Sequence, residues 1–231
     1  MSILITGSSS YIGKNLINFF EENKIDYIGI DKAKPYTKKC LKLDIKSLKI
    51  NTKIRKKINV IIHLAAVSSN LESKNNPILS YQTNIFGTSN IINFALDKKI
   101  KNFIFASTEW VYGEFKKKEI KSIDSHIKTE ELISDYAKSK AMTEKLIMST
   151  RGLNYSILRF GIIYGNKKFN YSAVESIIEQ VKKNKKIIVQ SKKTSRSFIH
   201  IIDIVKAINL SLELKKKCIL DIQGPNLVSL E

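Results

Sequence analysis

Long apolar runs are missing from this sequence. The stretch from Val60 to Val67 is broken by His63 and falls well short of the roughly 20 residues that a membrane span needs. No basic stretch followed by an apolar signal core opens the chain. These absences exclude a helical membrane span and set the expectation of a soluble, cytoplasmic protein. Cysteine is scarce too: Cys40 and Cys218 stand in apolar, strand-like surroundings without CxxC or Cys/His spacing. They read as buried free thiols, not as a disulfide framework. His63, His126 and His200 also lack ligand spacing, read as structural residues, and leave no metal expected. Arginine is limited to Arg55, Arg151, Arg159 and Arg196, so 36 of the 40 basic residues are lysine.

That scarcity of arginine decides how the formal charge of +19 is read. Nucleic-acid readers use arginine for bidentate contacts and interleave aromatic rings. The runs "FKKKEIK" (115–121) and "LKKKC" (214–218) do neither. A solvated, lysine-rich surface with no nucleic-acid partner is the expectation, and it is compatible with an anionic small substrate.

What is present is an alternation. Ser2–Thr6, Tyr27–Asp31, Cys40–Asp44, Asn59–Leu64, Asn102–Ser107 and Tyr155–Phe160 read as short strands, several apolar almost throughout. Helical patterns lie between them at about 11–23, 77–98 and 128–151. Strands buried on both faces and separated by helices predict an α/β, Rossmann-type, doubly wound parallel sheet. After "RFGIIYG" (159–165) the rhythm changes. A helix near 171–184, a strand at 186–190, the segment "RSFIHI" (196–201), a helix near 203–215 and a strand at 218–222 read as a small second lobe. The division expected is a cofactor-binding domain over 1–165 and a short substrate lobe over 166–231, interleaved with it.

The first strand runs into "ITGSSSYIG" (5–13), where a strand, a glycine turn and a helix N-terminus can cradle a pyrophosphate. Gly7 makes the turn and Gly13 permits close helix packing, whereas Ser10 stands where a middle glycine is usual. Ser10 is tolerable if its backbone angle is ordinary, and its hydroxyl can face a phosphate. The second strand ends in Asp31, 18 residues past Gly13, where a carboxylate accepts both ribose hydroxyls and repels a 2′-phosphate. This favours NAD; Lys32 and Lys34 leave NADP open.

"DYAKSK" (135–140) places Tyr136 and Lys140 four residues apart on one helix face. An ammonium beside a phenol, together with an oxidised nicotinamide, lowers the phenol from its usual ~10 and makes it a usable acid or base.

In this order, "TGSSSYIG" (6–13), Asp31, "LDI" (43–45), "HLAA" (63–66), "NIFGT" (84–88), "STEWVYG" (107–113), "YAKSK" (136–140), "LRFGIIYG" (158–165) and "RSFIHIID" (196–203) cover nearly the whole chain. The chain resembles the extended short-chain dehydrogenase/reductases, the NAD-dependent epimerases and dehydratases that act on nucleotide sugars. The resemblance implies a cofactor set of Gly7, Ser9, Ser10, Tyr11, Ile12, Gly13, Asp31, Asp44, Ile45, Leu64, Ala65, Ala66, Ser107, Tyr136, Lys140 and Ile163. It makes Tyr136 the acid/base, Lys140 the ribose-holding lysine, Thr108 the hydroxyl on the reacting sugar oxygen and Asn84 the helix asparagine beside them. Thr108, Glu109, Trp110 and Arg196 become the substrate-binding set, Arg196 meeting the diphosphate. Taken singly, Asn84 is equally a locally bonded helix residue, Thr108 a strand end, Asp44 a cap and Arg196 a surface charge.

The resemblance implies hydride transfer at sugar C4, as an epimerase or a 4-keto-sugar reductase. Its dehydratases follow the threonine with Asp-Glu, and here Glu109 is followed by Trp110, which argues against dehydration. A dehydratase or dehydrogenase on another sugar, or a catalytically silent cofactor-binding subunit, remain the alternatives. Ile162 stands where many members place a substrate-binding asparagine, and Ser197 replaces the acid of "RDFIH". Much of the usual C-terminal lobe is missing. The resemblance also implies a homodimer formed through the helices at 77–98 and 128–151, and a role in polysaccharide biosynthesis.

Overall fold

A computed structural model describes residues 1–68, 70–114, 121–167, 172–183, 186–188 and 195–229. Strands β1 (Ile3–Thr6), β2 (Tyr27–Asp31), β3 (Cys40–Lys42), β4 (Val60–His63), β5 (Asn102–Thr108), β6 (Asn154–Phe160) and β9 (Cys218–Ile222) form a wholly parallel sheet in the order β3-β2-β1-β4-β5-β6-β9. The expected Rossmann-type sheet is therefore what the chain builds. A smaller sheet joins β7 (Ile162–Tyr164), β8 (Ser195–His200) and β10 (Leu227–Ser229).

Alternation along the strands explains the layering. Ile3, Ile5, Val60 and Ile62 face one side, packing with Leu16, Ile17 and Phe20 of α1 (Tyr11–Glu22) and Ile201, Ile204 and Ile208 of α8 (Ile201–Ser211). Leu4 and Ile61 face the other, against Ile91, Ile92 and Phe94 of α5 (Thr88–Asp97) and Ile147 of α6 (Asp135–Ser149). Each strand is thus apolar on both faces because both are covered. The remaining helices are α2 (Ile50–Lys53), α3 (Asn70–Asn75), α4 (Pro77–Tyr81) and α7 (Ala173–Lys182).

Several expectations need correction. The helix expected from 128 begins only at Asp135, because Ser134 caps it through the Ala137 N–H and residues 129–131 form a single tight turn instead. Residues 186–188 are not a strand, and 189–190 lie outside the described residues, as does most of the lysine run at 115–121. The strand at 218–222 joins the main sheet beside β6, although its place in the chain suggested the second lobe. Cys40 is buried, but Cys218 is only half-buried.

The strand order reverses between β1 and β4, so the chain diverges there at the carboxyl ends of the strands, the position at which open α/β sheets hold ligands. Beneath this point lies His63, fully buried and flanked by Phe103 and Phe105. Ala65 N–H donates to Thr6 Oγ1 at 3.2 Å, the Thr6 hydroxyl meets His63 Nδ1 at 2.7 Å, and His63 Nε2 meets Thr88 Oγ1 at 2.8 Å. Thr88 in turn donates to Asn84 O at 2.6 Å. Every donor finds an acceptor only if His63 is neutral with its proton on Nε2. Burial, and secondarily the charge of Lys140, push its pKa down to about 3.

Since the unfolded imidazole titrates near 6.5 and the folded one near 3, the unfolded state takes up the extra proton as pH falls through this window. Stability is complete above about pH 6.5 and declines below it, by about 1.4 kcal/mol per pH unit for one proton. Denaturant titrations at pH 7, 6 and 5 should show this decline in the wild type and a flatter profile in His63→Gln; parallel profiles would refute the assignment.

Candidate functional site

The glycine turn is closed by contact, not by composition alone. Gly7 has φ +73°, and a Cβ there would lie 2.7 Å from Ala65 N; one on Gly13 would lie 2.3 Å from Gly7 O. The first excludes a side chain by backbone angle and by space, the second by space, and together they let α1 approach the end of β1. Ser10 has ordinary extended angles, φ −69° and ψ 170°, and is the N-cap of α1, accepting the Gly13 N–H at 3.0 Å. Serine therefore works at this position without strain and satisfies a helix donor that glycine would leave to solvent.

Asp31 is tied to the same turn. Its two oxygens accept the Ser9 N–H and the Ala33 N–H, each at 2.9 Å, and Ser9 Oγ donates to Lys34 O. Each carboxylate oxygen keeps a lone pair for a further donor. Leu64, Ala65 and Ala66 follow β4 directly against Gly7. Asp44 accepts the Lys46 N–H at 2.8 Å, and Ile45 is buried against Gly87, where a Cβ would lie 2.6 Å from Ile45 Cδ1. The aromatic ring of Tyr11 carries Lys167 Nζ 5.3 Å from its centroid. The Tyr11 hydroxyl is buried without a partner among the described residues, and burial followed by the charge of Glu175 pushes it up to about 12. Ile163 O accepts from Lys167 Nζ at 2.5 Å. Ile12 packs at the edge of the core beside these residues.

At the end of β5, the hydroxyl of buried Thr108 accepts the Trp110 N–H at 3.3 Å and stands beside the Tyr136 phenol. The phenol is pushed up to about 12 by burial, against which the neighbouring Thr108 hydroxyl works. The lowering expected of this phenol belongs to the site with an oxidised nicotinamide beside it, and the lysine is only part of that expectation. Lys140 Nζ donates to Ala106 O at 2.6 Å and lies 4.5 Å from the Phe105 ring centroid, and its charge does not enter the balance at Tyr136. Lys140 is itself pulled down to about 7 by burial, opposed by Glu144.

Asn84 lies in a wider π-helical stretch, Gln82–Gly87, that joins α4 to α5. Its amide exchanges hydrogen bonds with the backbone of Val67, at 2.8 and 3.0 Å, and donates to Ser139 Oγ at 2.9 Å. These contacts clamp the loop after β4 to the first turns of α6. Glu109 and Trp110 begin a tight turn, Glu109–Tyr112, that follows Thr108. Trp110 is 36% exposed, and Arg196 on β8 is exposed with its charge acting on Glu109.

Sequence reading missed the network behind Thr108. Ser107 Oγ donates to Glu144 Oε1 at 2.5 Å, and Glu144 pairs with Arg159 through Nε at 3.1 Å and Nη2 at 2.7 Å. Arg159 Nη1 donates to the Tyr112 hydroxyl at 2.8 Å, which donates onward to Asp221. The available signal was the spacing: Glu144 follows Lys140 as Lys140 follows Tyr136, placing all three along one face of α6.

The cap at Ser10 makes a direct prediction. Ser10→Ala should cost about 1 kcal/mol in chemical denaturation and Ser10→Gly only a few tenths; equal losses would show that the cap bond is not what holds the turn.

The comparisons agree with this geometry. The family model described as NAD dependent epimerase/dehydratase family matches residues 3–220. A putative UDP-glucose 4-epimerase of Methanocaldococcus jannaschii is 29% identical over 94% of this chain and 75% of its own length. The UDP-glucose epimerase YtcB of Bacillus subtilis, itself uncharacterised, is 31% identical over 92% of this chain and 72% of its own. A dTDP-D-glucose 4,6-dehydratase of Dictyostelium discoideum is 29% identical over 91% of this chain, which spans 55% of that relative's length. Among solved structures, the Thermus thermophilus UDP-glucose 4-epimerase in complex with NAD superposes with a TM-score of 0.86 at 20% identity, covering all of this chain and 80% of that one. The Bacillus cereus UDP-glucuronic acid 4-epimerase with UDP-glucuronic acid and NAD does so with 0.86 at 25% identity, again over all of this chain and 80% of that one. With a parallel sheet, a glycine turn at its reversal point and a Tyr136–Thr108 pair at the end of β5, the chain belongs to the NAD-dependent epimerase/dehydratase family of enzymes.

Proposed function

We propose that this protein is a nucleotide-sugar 4-epimerase that uses NAD, with Tyr136 as its acid/base. The observation that carries the reading is the placing of Tyr136 beside Thr108 at the carboxyl end of β5, near a turn that only glycine fits at Gly7 and Gly13. The residues fit the cofactor. The N-terminus of α1 offers amide donors to a diphosphate, Ser10 and the buried Tyr11 hydroxyl stand at its first turn, and the Asp31 carboxylate retains acceptor capacity for a ribose. Asp44, Ile45 and Leu64 to Ala66 would line the adenosine side, and Ser107, Lys140 and Ile163 the nicotinamide side. When bound, NAD supplies the hydride exchange.

The chain's own residues supply the rest. Tyr136 moves a proton to and from the oxygen on sugar C4, taking it as a phenolate when the alcohol becomes a ketone and returning it as a phenol in the reverse step, and Thr108 hydrogen-bonds that oxygen. Asn84 positions α6 through Ser139 and does not itself need to reach the sugar. Arg196 is assigned to the substrate's diphosphate, Glu109 and Trp110 to its sugar, and the parts of 166–231 outside α8 and β9 to the substrate lobe. Trp110 in place of a second carboxylate supports epimerisation or keto-sugar reduction over dehydration; a reductase would need fresh reduced cofactor at every turnover. Exposed Ile78 and Phe86 on the 77–97 helix and Met142 on α6 support pairing of two copies across these helices.

Tyr136→Phe should reduce conversion of UDP-glucose by at least a hundredfold while NADH affinity, read from Trp110 fluorescence and calorimetry, stays within about twofold. Retained turnover would remove Tyr136 from the chemistry. Asp31→Ala should weaken NADH about tenfold or more and relax discrimination against NADPH. Unchanged affinities would move ribose recognition elsewhere.

A further inference from the structure

At the end of the sheet opposite to the glycine turn, the surface is also concave. The segments that lead into β4 and β5, residues 54–59 and 98–102, together with Phe94 enclose a cavity of about 540 Å³, within the ~300–1,000 Å³ of small-molecule sites. Its floor is apolar and buried, since Ile54, Ile58, Phe94 and Ile100 are each at most 6% exposed. Its rim is cationic. Arg55, Lys56, Lys57, Lys98, Lys99 and Lys101 make up six of the twelve described lining residues, and none of the twelve is acidic. Over the whole chain 40 of 231 residues are basic, so the density here is well above what a lysine-rich surface supplies by itself.

Acids nearby do not answer these charges. Among the described residues, Lys56 alone of the six forms an ion pair, with Asp26 at 2.5 Å. Asp97, next to Lys98 in the chain, accepts from the Asn51 amide at 2.8 Å and lines a separate, smaller cavity. The Asn59 side-chain carbonyl takes the Ser2 N–H at 2.9 Å, which leaves its amide group as a further donor at the rim. The carboxyl end of α5 lies here too, and open carbonyls at a helix end repel anions. These are closed: the Lys98, Lys99 and Ile100 N–H groups donate to the carbonyls of Phe94, Leu96 and Ala95 at 3.0, 3.0 and 2.8 Å. What remains is an excess of positive charge around a hollow, which repels itself until an anion enters.

We propose that this hollow is a second anion site, which takes a compact polyphosphate: two or more linked phosphate groups, free or carried on a small ester. Five cations without an acidic partner match several charges on a short body, whereas a single carboxylate would leave most of them unanswered. Lysine meets phosphate oxygens as a point charge and needs no fixed fork geometry, so a rim of mostly lysine suits such a chain. Phe94 is 2% exposed and is the only ring among the described lining residues, so a base finds no platform to stack on. The recognised part is the phosphate chain, inorganic or on a nucleoside. Because the hollow lies at the amino ends of β4 and β5, it is filled without displacing a dinucleotide from the carboxyl ends. The site is independent of the epimerase reading.

The test titrates inorganic tripolyphosphate into nitrogen-15-labelled protein and follows the amide resonances, which separate this end of the sheet from the glycine turn. The amides of 55–59 and 98–102 should shift and saturate with a Kd below about 1 mM, and sodium sulfate at the same ionic strength should leave them in place. Adenosine triphosphate should shift the same amides with an affinity within about threefold, since the base adds nothing. Combined Arg55→Gln, Lys57→Gln and Lys101→Gln, all exposed and outside the catalytic machinery, should weaken tripolyphosphate about tenfold or more. Lys99→Gly suits the left-handed φ of +55° at that position, removes one cation without strain, and carries the test if the triple variant fails to fold; about threefold weakening is expected. Shifts confined to residues 7–13, equal shifts with sulfate, a tenfold preference for the nucleotide, or an affinity unmoved by these substitutions overturns the proposal.

Discussion

Glu144 and Arg159 are 1% and 2% exposed, and either charge alone in that interior would cost several kcal/mol to keep out of water. Their bidentate contact answers the Coulombic part, but a carboxylate and a guanidinium have more hydrogen-bonding capacity than one pair fills. Ser107 takes part of the remainder on the acid, and Tyr112 on the base. The result is a constraint on four elements at once, since α6 supplies Glu144, β6 Arg159, β5 Ser107 and the following turn Tyr112. A slip of α6 or β6 would leave a buried charge unpaired, an error of about 3–5 kcal/mol, and a slip of β5 or the turn would leave part of its hydrogen-bonding capacity unfilled. The placement of Tyr136, Lys140 and Thr108 relative to one another follows from this, because each lies within one or two helical turns or one residue of a member of the network.

Much of this was readable in the residue order. A strand that ends in Gly7, a helix that begins after Ser10, and Asp31 at the end of the next strand can be read locally, because backbone angle, cap chemistry and strand patterning act over a few residues. The start of α6 was not, because residues 128–134 carry the polar and apolar spacing of a helix, and only the capping of Ala137 N–H by Ser134 reveals where it begins. Nor was the placement of residues 218–222 in the main sheet, which is settled by pairing with a strand 62 residues earlier.

The direction of the Lys140 side chain marks the clearest limit. A lysine four residues on from a tyrosine signals a lowered phenol only if the ammonium points at it. Lys140 Nζ reaches the carbonyl of Ala106, on the strand beside the helix. Periodicity places two side chains on a face but leaves their last three bonds free, and hydrogen bonds from a neighbouring strand settle those. The same holds for Asn84, whose type suggested chemistry and whose amide is engaged with the Val67 backbone and Ser139.

The position of β9 has a consequence for how the molecule comes into being. Its neighbour β6 ends at Phe160, yet Asp221, which completes the chain of contacts through Tyr112 to Arg159, is reached only after a further lobe and α8 have been traversed. Parallel pairing over such a separation is slow, because the loop must close before any contact rewards it. During synthesis the glycine turn, β4 and α6 emerge well before the strand that supplies Asp221 to Tyr112. A nascent chain can thus reach a folded glycine turn while the Tyr112–Asp221 contact still lacks one member, so the turn at the end of β1 is built before the wall beside Thr108 is complete.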